Sequence, residues 1–137
     1  MSANQAAIDE ERVRFLLSQI SNEMVRLYKD QFGRGPVRAR THWYGPDALT
    51  VLLEDTLTTA DRNLVRMGEH GRLRDMRTLI QYATVREFCE PIERLTGRTV
   101  RAFISGIDTA VDGLCVETFV LHAPGSDEPS RRERSEP

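Results

Sequence analysis

Three basic side chains alternate along one short stretch of the chain. Arg38, Arg40 and His42 are each separated by one residue, so a β-strand would place all three on the same face. Arg101 occurs in a second stretch with the same Val-Arg-Ala sequence. A basic strip of this kind would bind a phosphate or a carboxylate. The alternative is an exposed face on which acidic residues, Glu54 and Glu117, pair with these cations across strands.

Two glycine-containing segments have the composition of backbone anion-binding loops. Gly33-Arg34-Gly35-Pro36 follows a predicted helix and precedes a predicted strand, whereas phosphate loops follow a strand and begin a helix. We therefore interpret it as a helix end. Gly68-Glu69-His70-Gly71 lies between two predicted helices and is similar to the GxxG loop of KH domains, which binds a nucleic-acid backbone. The negative charge of Glu69 disfavours nucleic acid, and a KH-like nucleic-acid-binding module is kept as the alternative hypothesis.

The other reactive residue types show no arrangement that is typical of an active site. His42, His70 and His122 lie far apart in sequence, and Cys89 and Cys115 form no CxxC pair. No GxSxG sequence occurs. The sequence therefore indicates no metal site, no cofactor and no catalytic residue, and we expect that the protein is not an enzyme.

Length and charge limit the possible partners. The 137 residues suit one domain, and a net charge of −2 with a pI of about 5.9 provides no electrostatic basis for binding nucleic acid or an anionic membrane. The N-terminal segment lacks the basic flank and apolar run of a signal peptide, and no apolar run approaches the ~20 residues that cross a bilayer. We expect a cytoplasmic protein that does not insert into a membrane.

Apolar periodicity predicts the helices that position these residues. A first helix runs from Ile8 to about Gln31 and ends at Gly33. A short helix begins after Thr58, with Asp61 completing an acidic variant of the capping box. A second long helix should kink or restart at its internal proline, Pro91. Its apolar residues at helical spacing are Leu73, Met76, Ile80, Phe88, Ile92 and Leu95.

Alternating residues predict two hairpins, with strands near residues 37–44, 48–53, 98–107 and 114–121. The order helix, two strands, two helices, two strands predicts an α+β fold, a four-stranded antiparallel sheet with helices on one face. Both halves contain a helix end, a Gly-Arg pair and a Val-Arg-Ala strand, which predicts an internal duplication. We expect residues 1–7 to be flexible, residues 8–122 to form the single domain, and the Pro-, Ser- and charge-rich residues 123–137 to be disordered.

The strand alternation also predicts a sheet face that is open to a partner. We assign to the helix side Val37, Ala39, Trp43, Leu49, Val51, Val100, Ile104, Val116 and Val120. The opposite side then carries Arg38, Arg40, His42, Leu52, Arg101, Phe103, Phe119 and Leu121. This mixture is too apolar for a face that meets only solvent, so we expect a homodimer. The alternative is that the first helix or the tail covers the face.

The chain resembles the MpsC domain family over roughly residues 10–121. The features that match are, in chain order, Gly33 to Pro36, Leu57-Thr58 followed by Asp61 and Leu64, Gly71 followed by Arg77, the sequence LTGRTV at Leu95 to Val100, and the sequence FVL at Phe119 to Leu121. The resemblance implies a small cytoplasmic accessory or regulatory component of a membrane system described as sodium-translocating and membrane-potential-generating. Membrane components of that system are also linked to inorganic-carbon uptake, so membrane-transport subunits are candidate partners.

The resemblance implies no catalytic residues, but it adds two positions to the candidates. Thr58 and Arg77 match family positions and join Arg38, Arg40, His42 and Arg101 as candidates for binding an anion or a partner. The alternative for Thr58 is a helix N-cap, and the alternative for Arg77 is a structural ion pair.

Overall fold

The computed structural model describes residues 2–134, and within them the elements follow the predicted order. They are α1 (Ala3–Phe32), β1 (Arg38–Tyr44), β2 (Ala48–Glu54), α2 (Thr59–Arg66), α3 (His70–Ala83), α4 (Val85–Thr96), β3 (Val100–Asp108), β4 (Leu114–Leu121) and a 3-10 turn (Arg131–Glu133). The strands form one antiparallel sheet in the order β1-β2-β4-β3. The predicted α+β fold is therefore confirmed.

Helix α1 is longer than its apolar pattern indicates. The Ser2 side chain caps its first turn by accepting from the Gln5 amide, and Gly33, with a φ of 82°, ends it by donating to the Lys29 carbonyl. The sequence favours a flexible segment over residues 1–7, whereas the structure extends the helix to Ala3. Its fully buried side chains begin at Ile20 and its contacts with the core begin at Leu16, so the first turns of α1 extend beyond the hydrophobic core.

The break between the last two helices lies at Thr84 and not at Pro91. The Thr84 hydroxyl donates to the Ile80 carbonyl at 2.8 Å and accepts from Gln31 at 2.9 Å, which anchors the end of α3 against α1. Pro91 is accommodated inside α4 and is buried. The predicted restart at the proline is wrong, because α4 continues through Pro91 and the helix break lies at Thr84, which hydrogen-bonds to α1.

The sheet faces are partly reversed from their prediction. Phe103 is 4% exposed and Phe119 is 0% exposed, and both lie beneath the helices with Leu121. Of the residues assigned to the helix side on β3 and β4, Val100 is buried as predicted, but Ile104, Val116 and Val120 lie on the other face. Both faces of these strands carry apolar residues, so alternation defines the two sets without saying which set is buried. A bulge between Val100 and Ala102 also changes the alternation in β3.

Aromatic rings hold α4 on the sheet. The centroid of the Phe103 ring lies 5.3 Å from that of Phe88 on α4 and 5.2 Å from that of Phe119 on β4. It lies 5.6 Å from the centroid of the Tyr82 ring at the end of α3. These rings belong to a core that also contains aliphatic side chains from α1 and β2. Among residues 2–134, this core lies between the helices and one face of the sheet.

The C-terminal segment also packs on the domain. Ser130 is 2% exposed and its hydroxyl donates to Glu93 on α4 at 2.6 Å, while Arg132 forms an ion pair with the same carboxylate at 3.1 Å. The composition of residues 123–137 predicts disorder and does not reveal that Glu93 accepts from two side chains of this segment. Residues 135–137 lie outside the described residues.

Candidate functional site

Two regions of the sheet have unusual chemistry, one on each face. The first is the open sheet face, which we define as the strand residues that point away from the helices. Its members are Arg38, Arg40, His42 and Tyr44 on β1, Ala48, Thr50, Leu52 and Glu54 on β2, Leu114, Val116, Thr118 and Val120 on β4, and Ala102, Ile104, Gly106 and Asp108 on β3. Ile104 is 58% exposed, so an apolar surface remains open to solvent.

The predicted basic strip is only partly assembled on this face. Arg38, Arg40 and His42 lie side by side along β1 and are exposed. Arg101 lies at the bulge on β3, at the opposite edge of the sheet and three strand spacings, or roughly 14 Å, away. The four predicted residues therefore do not form one anion site.

Only one of the two acidic residues predicted to pair with the strip, Glu54, lies on the open sheet face. Glu54 pairs with Arg40 at 3.1 Å, and because both side chains are well exposed this ion pair contributes only tenths of a kcal/mol. Glu117 points to the helix side and is buried, so it cannot pair with the arginines of the open face.

The two family-matched candidates have structural partners. Thr58 caps α2: its hydroxyl accepts from the Asp61 amide at 3.1 Å, while its own amide donates to the Asp61 carboxylate at 2.9 Å. Arg77 is 1% exposed and donates to Asp61 and to the Thr56 carbonyl, each at 2.7 Å. The capping and ion-pair alternatives therefore describe both residues.

Asp61 joins these two contacts into one unit. Burial raises the pKa of this carboxyl, but the hydrogen bonds from Arg77 and from the Thr58 amide outweigh burial and leave the pKa below its usual value. The Arg77 guanidinium carbon also lies 4.1 Å from the centroid of the Phe32 ring. The charge of Arg77 is thus shared between a carboxylate, a carbonyl and an aromatic face.

The second region is the buried polar cluster, which we define as Tyr28, Thr56, Asp61, Arg77, Gln81 and Glu117. At its centre, Glu117 on β4 is 0% exposed. The Tyr28 hydroxyl donates to Glu117 Oε1 at 2.5 Å, and the Gln81 side-chain amide donates to the same oxygen at 2.6 Å. Tyr28 lies in the last turns of α1, and Gln81 lies one turn after Arg77 on α3, so three elements converge on one carboxyl group.

Three polar atoms of the cluster have no hydrogen-bond partner within residues 2–134. They are Glu117 Oε2, Gln81 Oε1 and Arg77 Nε. A cleft between α3 and the β3–β4 hairpin reaches this point; it is lined by Arg77, Gln81, Ser105 and Cys115, among others, and is too narrow to hold a water molecule. Buried polar atoms without partners are costly, so this region is under electrostatic strain.

Burial determines the protonation of the central group. It raises the pKa of Glu117 to about 8, and the Tyr28 hydroxyl, the neighbouring Ser105 side chain and the charge of Arg77 only partly oppose it. Burial and the nearby Glu117 also raise the pKa of Tyr28 well above its usual value. Glu117 is therefore a carboxyl group that holds its proton at pH 7 and releases it in mildly alkaline conditions.

The remaining candidates are accounted for by local contacts. The predicted GxxG loop lies only partly between helices: residues 67–69 connect α2 to α3, whereas His70 and Gly71 already belong to the first turn of α3. The His70 side chain forms a hydrogen bond with the Thr109 hydroxyl at 2.7 Å. Burial raises the pKa of Cys89 to about 12 and also raises that of Cys115, so neither thiol is a good nucleophile. In the described part of the chain, no group of three or more His, Cys, Asp or Glu side chains could hold a metal ion. Over the same residues, no helix has both the length and the apolar character needed to cross a membrane.

Sequence reasoning missed the buried polar cluster, although one signal was available. Glu117 occurs in the strand LCVETFVL at the same alternation phase as Cys115, Phe119 and Leu121. An acidic residue among core-facing apolar residues is rare unless it has partners. Its partners come from α1 and α3, and their spacing in the sequence gives no indication that they meet.

Comparison with known proteins gives one match. The family model described as "Na+-translocating membrane potential-generating system (MpsC)" matches residues 13–123, which is most of the chain and includes every element from β1 to β4. No curated protein and no solved structure gives a significant match. The matched range contains both the open sheet face and the buried polar cluster.

Proposed function

Because the chain belongs to the MpsC family, we propose that it is a cytoplasmic, non-catalytic accessory protein of a membrane-potential-generating system. Family membership supports the link to that system. The observation that supports a binding role is the open sheet face, since the helices leave apolar residues such as Ile104 in solvent. The protein acts by presenting this face, and subunits of a membrane transport system are its ultimate partners.

The occupant that best fits the open sheet face is a second copy of the chain. A two-fold axis in the interface, parallel to the strands and between β2 and β4, stacks β1 of one copy on β3 of the other. Rotation about this axis does not change the height of a residue along the strand direction. Arg38 and Asp108 lie at the same height in the sheet, so Arg38 of one copy faces Asp108 of the second copy. Two such charge pairs form, one at each edge of the interface.

Side-chain size is complementary under the same axis. Arg40 stacks over Gly106 of the second copy, and Tyr44 stacks over Ala102, so long side chains meet short ones. At the centre, Leu52 meets Val116 of the second copy. Face-to-face sheets pack about 10 Å apart, which side chains of these sizes fill.

The area of the face predicts the strength of the dimer. Four strands at their usual spacing and seven residues in length cover roughly 19 Å by 24 Å. This outline is smaller than the ~800 Å² that each partner buries in a standard interface, so we expect a weak, transient dimer. Such a dimer would exchange and could give up its sheet face to a membrane subunit.

The test of the dimer is light scattering over a range of protein concentrations. The wild type should change from monomer to dimer, and Val116→Asp should remain a monomer. Val111→Asp is the matched control, because Val111 is 85% exposed in the β3–β4 turn and lies off the face. A wild type that is monomeric at every concentration, or a Val116→Asp variant that dimerises normally, would contradict the dimer.

A charge exchange tests the arrangement itself. Arg38→Asp and Asp108→Arg should each weaken dimerisation, and the double variant should restore it. If both single variants dimerise like the wild type, or if the double variant is no better than either single variant, then the two-fold arrangement is wrong.

The link to the membrane system has its own test. Cells that lack the protein should show a lower membrane potential with a potential-sensitive dye, and the wild-type gene should restore it. Equal potentials with and without the protein would contradict the accessory role.

A further inference from the structure

The buried polar cluster contains one cation, Arg77. Its guanidinium group donates to Asp61 and to Thr56, with a longer contact to the Cys115 sulfur, and not to Glu117. Its Nε makes no hydrogen bond, and neither does Glu117 Oε2. A donor and an acceptor therefore remain without partners in the same buried region.

The other groups around Glu117 cannot neutralise a negative charge there. Tyr28 on α1 and Gln81 on α3 donate neutral hydrogen bonds. The Ser105 side chain, opposite Glu117 on β3, also favours the carboxylate but carries no charge. Cys115 on the same strand is a buried thiol, and the β2 residue opposite Glu117, Val51, is apolar. Arg77 is thus the group that can respond to ionisation.

We propose that Glu117 is a binding site for a single proton, and that Arg77 transmits the presence or absence of this proton to the start of α2. With the proton bound, Glu117 is neutral and Arg77 stays on Asp61. When the Glu117 O–H bond breaks and the proton passes to a solvent base, the new carboxylate competes with Asp61 for the guanidinium group. Rebinding of the proton reverses the change.

The start of α2 depends on the contact that would be weakened. The Asp61 carboxylate accepts from Arg77 and from the Thr58 amide through the same oxygen, Oδ2. Arg77 also donates to the Thr56 carbonyl just before this cap. If Arg77 turns toward Glu117, the capping box of α2 loses its neighbouring positive charge. The start of this surface helix then changes with the protonation of Glu117.

A purely structural role makes a different prediction. Glutamine at position 117 would keep an oxygen that accepts from Tyr28 and Gln81, so a structural role would survive Glu117→Gln. A proton-binding role would not survive it, because glutamine does not titrate. The proposal goes beyond the accessory function and does not depend on dimerisation.

The experiment is a nuclear magnetic resonance titration of the full chain from about pH 5 to about pH 10. The side-chain carboxyl carbon of Glu117 should titrate near pH 8. The backbone amide signals of Thr58 and Asp61 should shift with the same midpoint. In Glu117→Gln the two amides should lose this titration, and in Glu87→Gln, which changes an exposed glutamate on α4, they should retain it.

Two results would overturn the proposal. One is a Glu117 midpoint in the ordinary range of a carboxyl group. The other is a Glu117 titration near pH 8 that the Thr58 and Asp61 amides do not follow. Repeating the titration on Arg38→Asp separates this proposal from the dimer. This substitution is expected to weaken dimerisation and lies two strands away from β4, so the proton site should persist.

Discussion

The open sheet face and the buried polar cluster lie on opposite sides of the same strand. Val116 and Glu117 are adjacent in β4, yet the apolar residue faces solvent and the acidic residue faces the core. Each residue lies where its chemistry costs free energy. Folding alone favours the reverse arrangement, so the two residues make opposite predictions for what a substitution would change.

The two regions are expected to respond differently to substitution. The open sheet face is formed by strand register, so a substitution there should change association and leave folding nearly intact. The buried polar cluster is formed by three elements that meet around one carboxyl group, so a substitution there should change folding or pH response. The following predictions test this contrast.

The largest expected effect is the pH dependence of stability. The pKa of Glu117 is about 8 in the folded protein against an ordinary value of 4.5, so the folded state binds this proton more tightly than the unfolded state. The stabilisation is complete below about pH 4.5, falls as the pH rises, and is lost above about pH 8, a change of roughly 5 kcal/mol in the free energy of unfolding. Urea unfolding at several pH values should show this decline, and Glu117→Gln should flatten it. An equally steep decline in Glu117→Gln would assign the effect to another group.

A slightly smaller effect is expected when the buried cation is removed. Arg77→Met leaves the Asp61 carboxylate buried without its charged partner, which should lower the free energy of unfolding by roughly 4 kcal/mol. Arg72→Met on the same helix is the control, because the Arg72 side chain is 79% exposed, and its effect should stay within about 0.5 kcal/mol. Similar losses for the two variants would contradict a special role for the buried cluster.

The smallest contrast compares the two sides of β4. Phe119→Ala removes a fully buried ring from the contact with Phe103 and should cost about 3 kcal/mol in urea unfolding. Val116→Ala on the open sheet face should cost under about 1 kcal/mol in a monomeric sample and should weaken dimerisation in light scattering. If Val116→Ala destabilises the monomer as much as Phe119→Ala does, the open sheet face is not open.

Helix and strand positions could be predicted from the sequence wherever the signal was local. The Thr58–Asp61 capping box, the helix end at Gly33 and both hairpins depend on residues within a few positions of each other. Local signals were insufficient where a distant partner decided the outcome. Thr84 ends α3 through a contact with α1, and Ser130 is held by Glu93 on α4.

The candidate residues follow the same division. Arg38, Arg40 and His42 share a face because strand geometry requires it, but Arg101 lies at the other edge because the strand order is β1-β2-β4-β3. The internal duplication stays a prediction, although the order of the two hairpins in the sheet is compatible with a pseudo-two-fold axis.

By itself the sequence determined the α+β class, the order of the elements and the family, because periodicity, capping residues and motif spacing are properties of neighbouring positions. Only the tertiary structure decided which face of the sheet is covered and that Tyr28, Gln81 and Arg77 surround Glu117. Strand alternation specifies two faces but not the one that the helices bury. Residues separated by tens of positions meet only when packing brings their elements together.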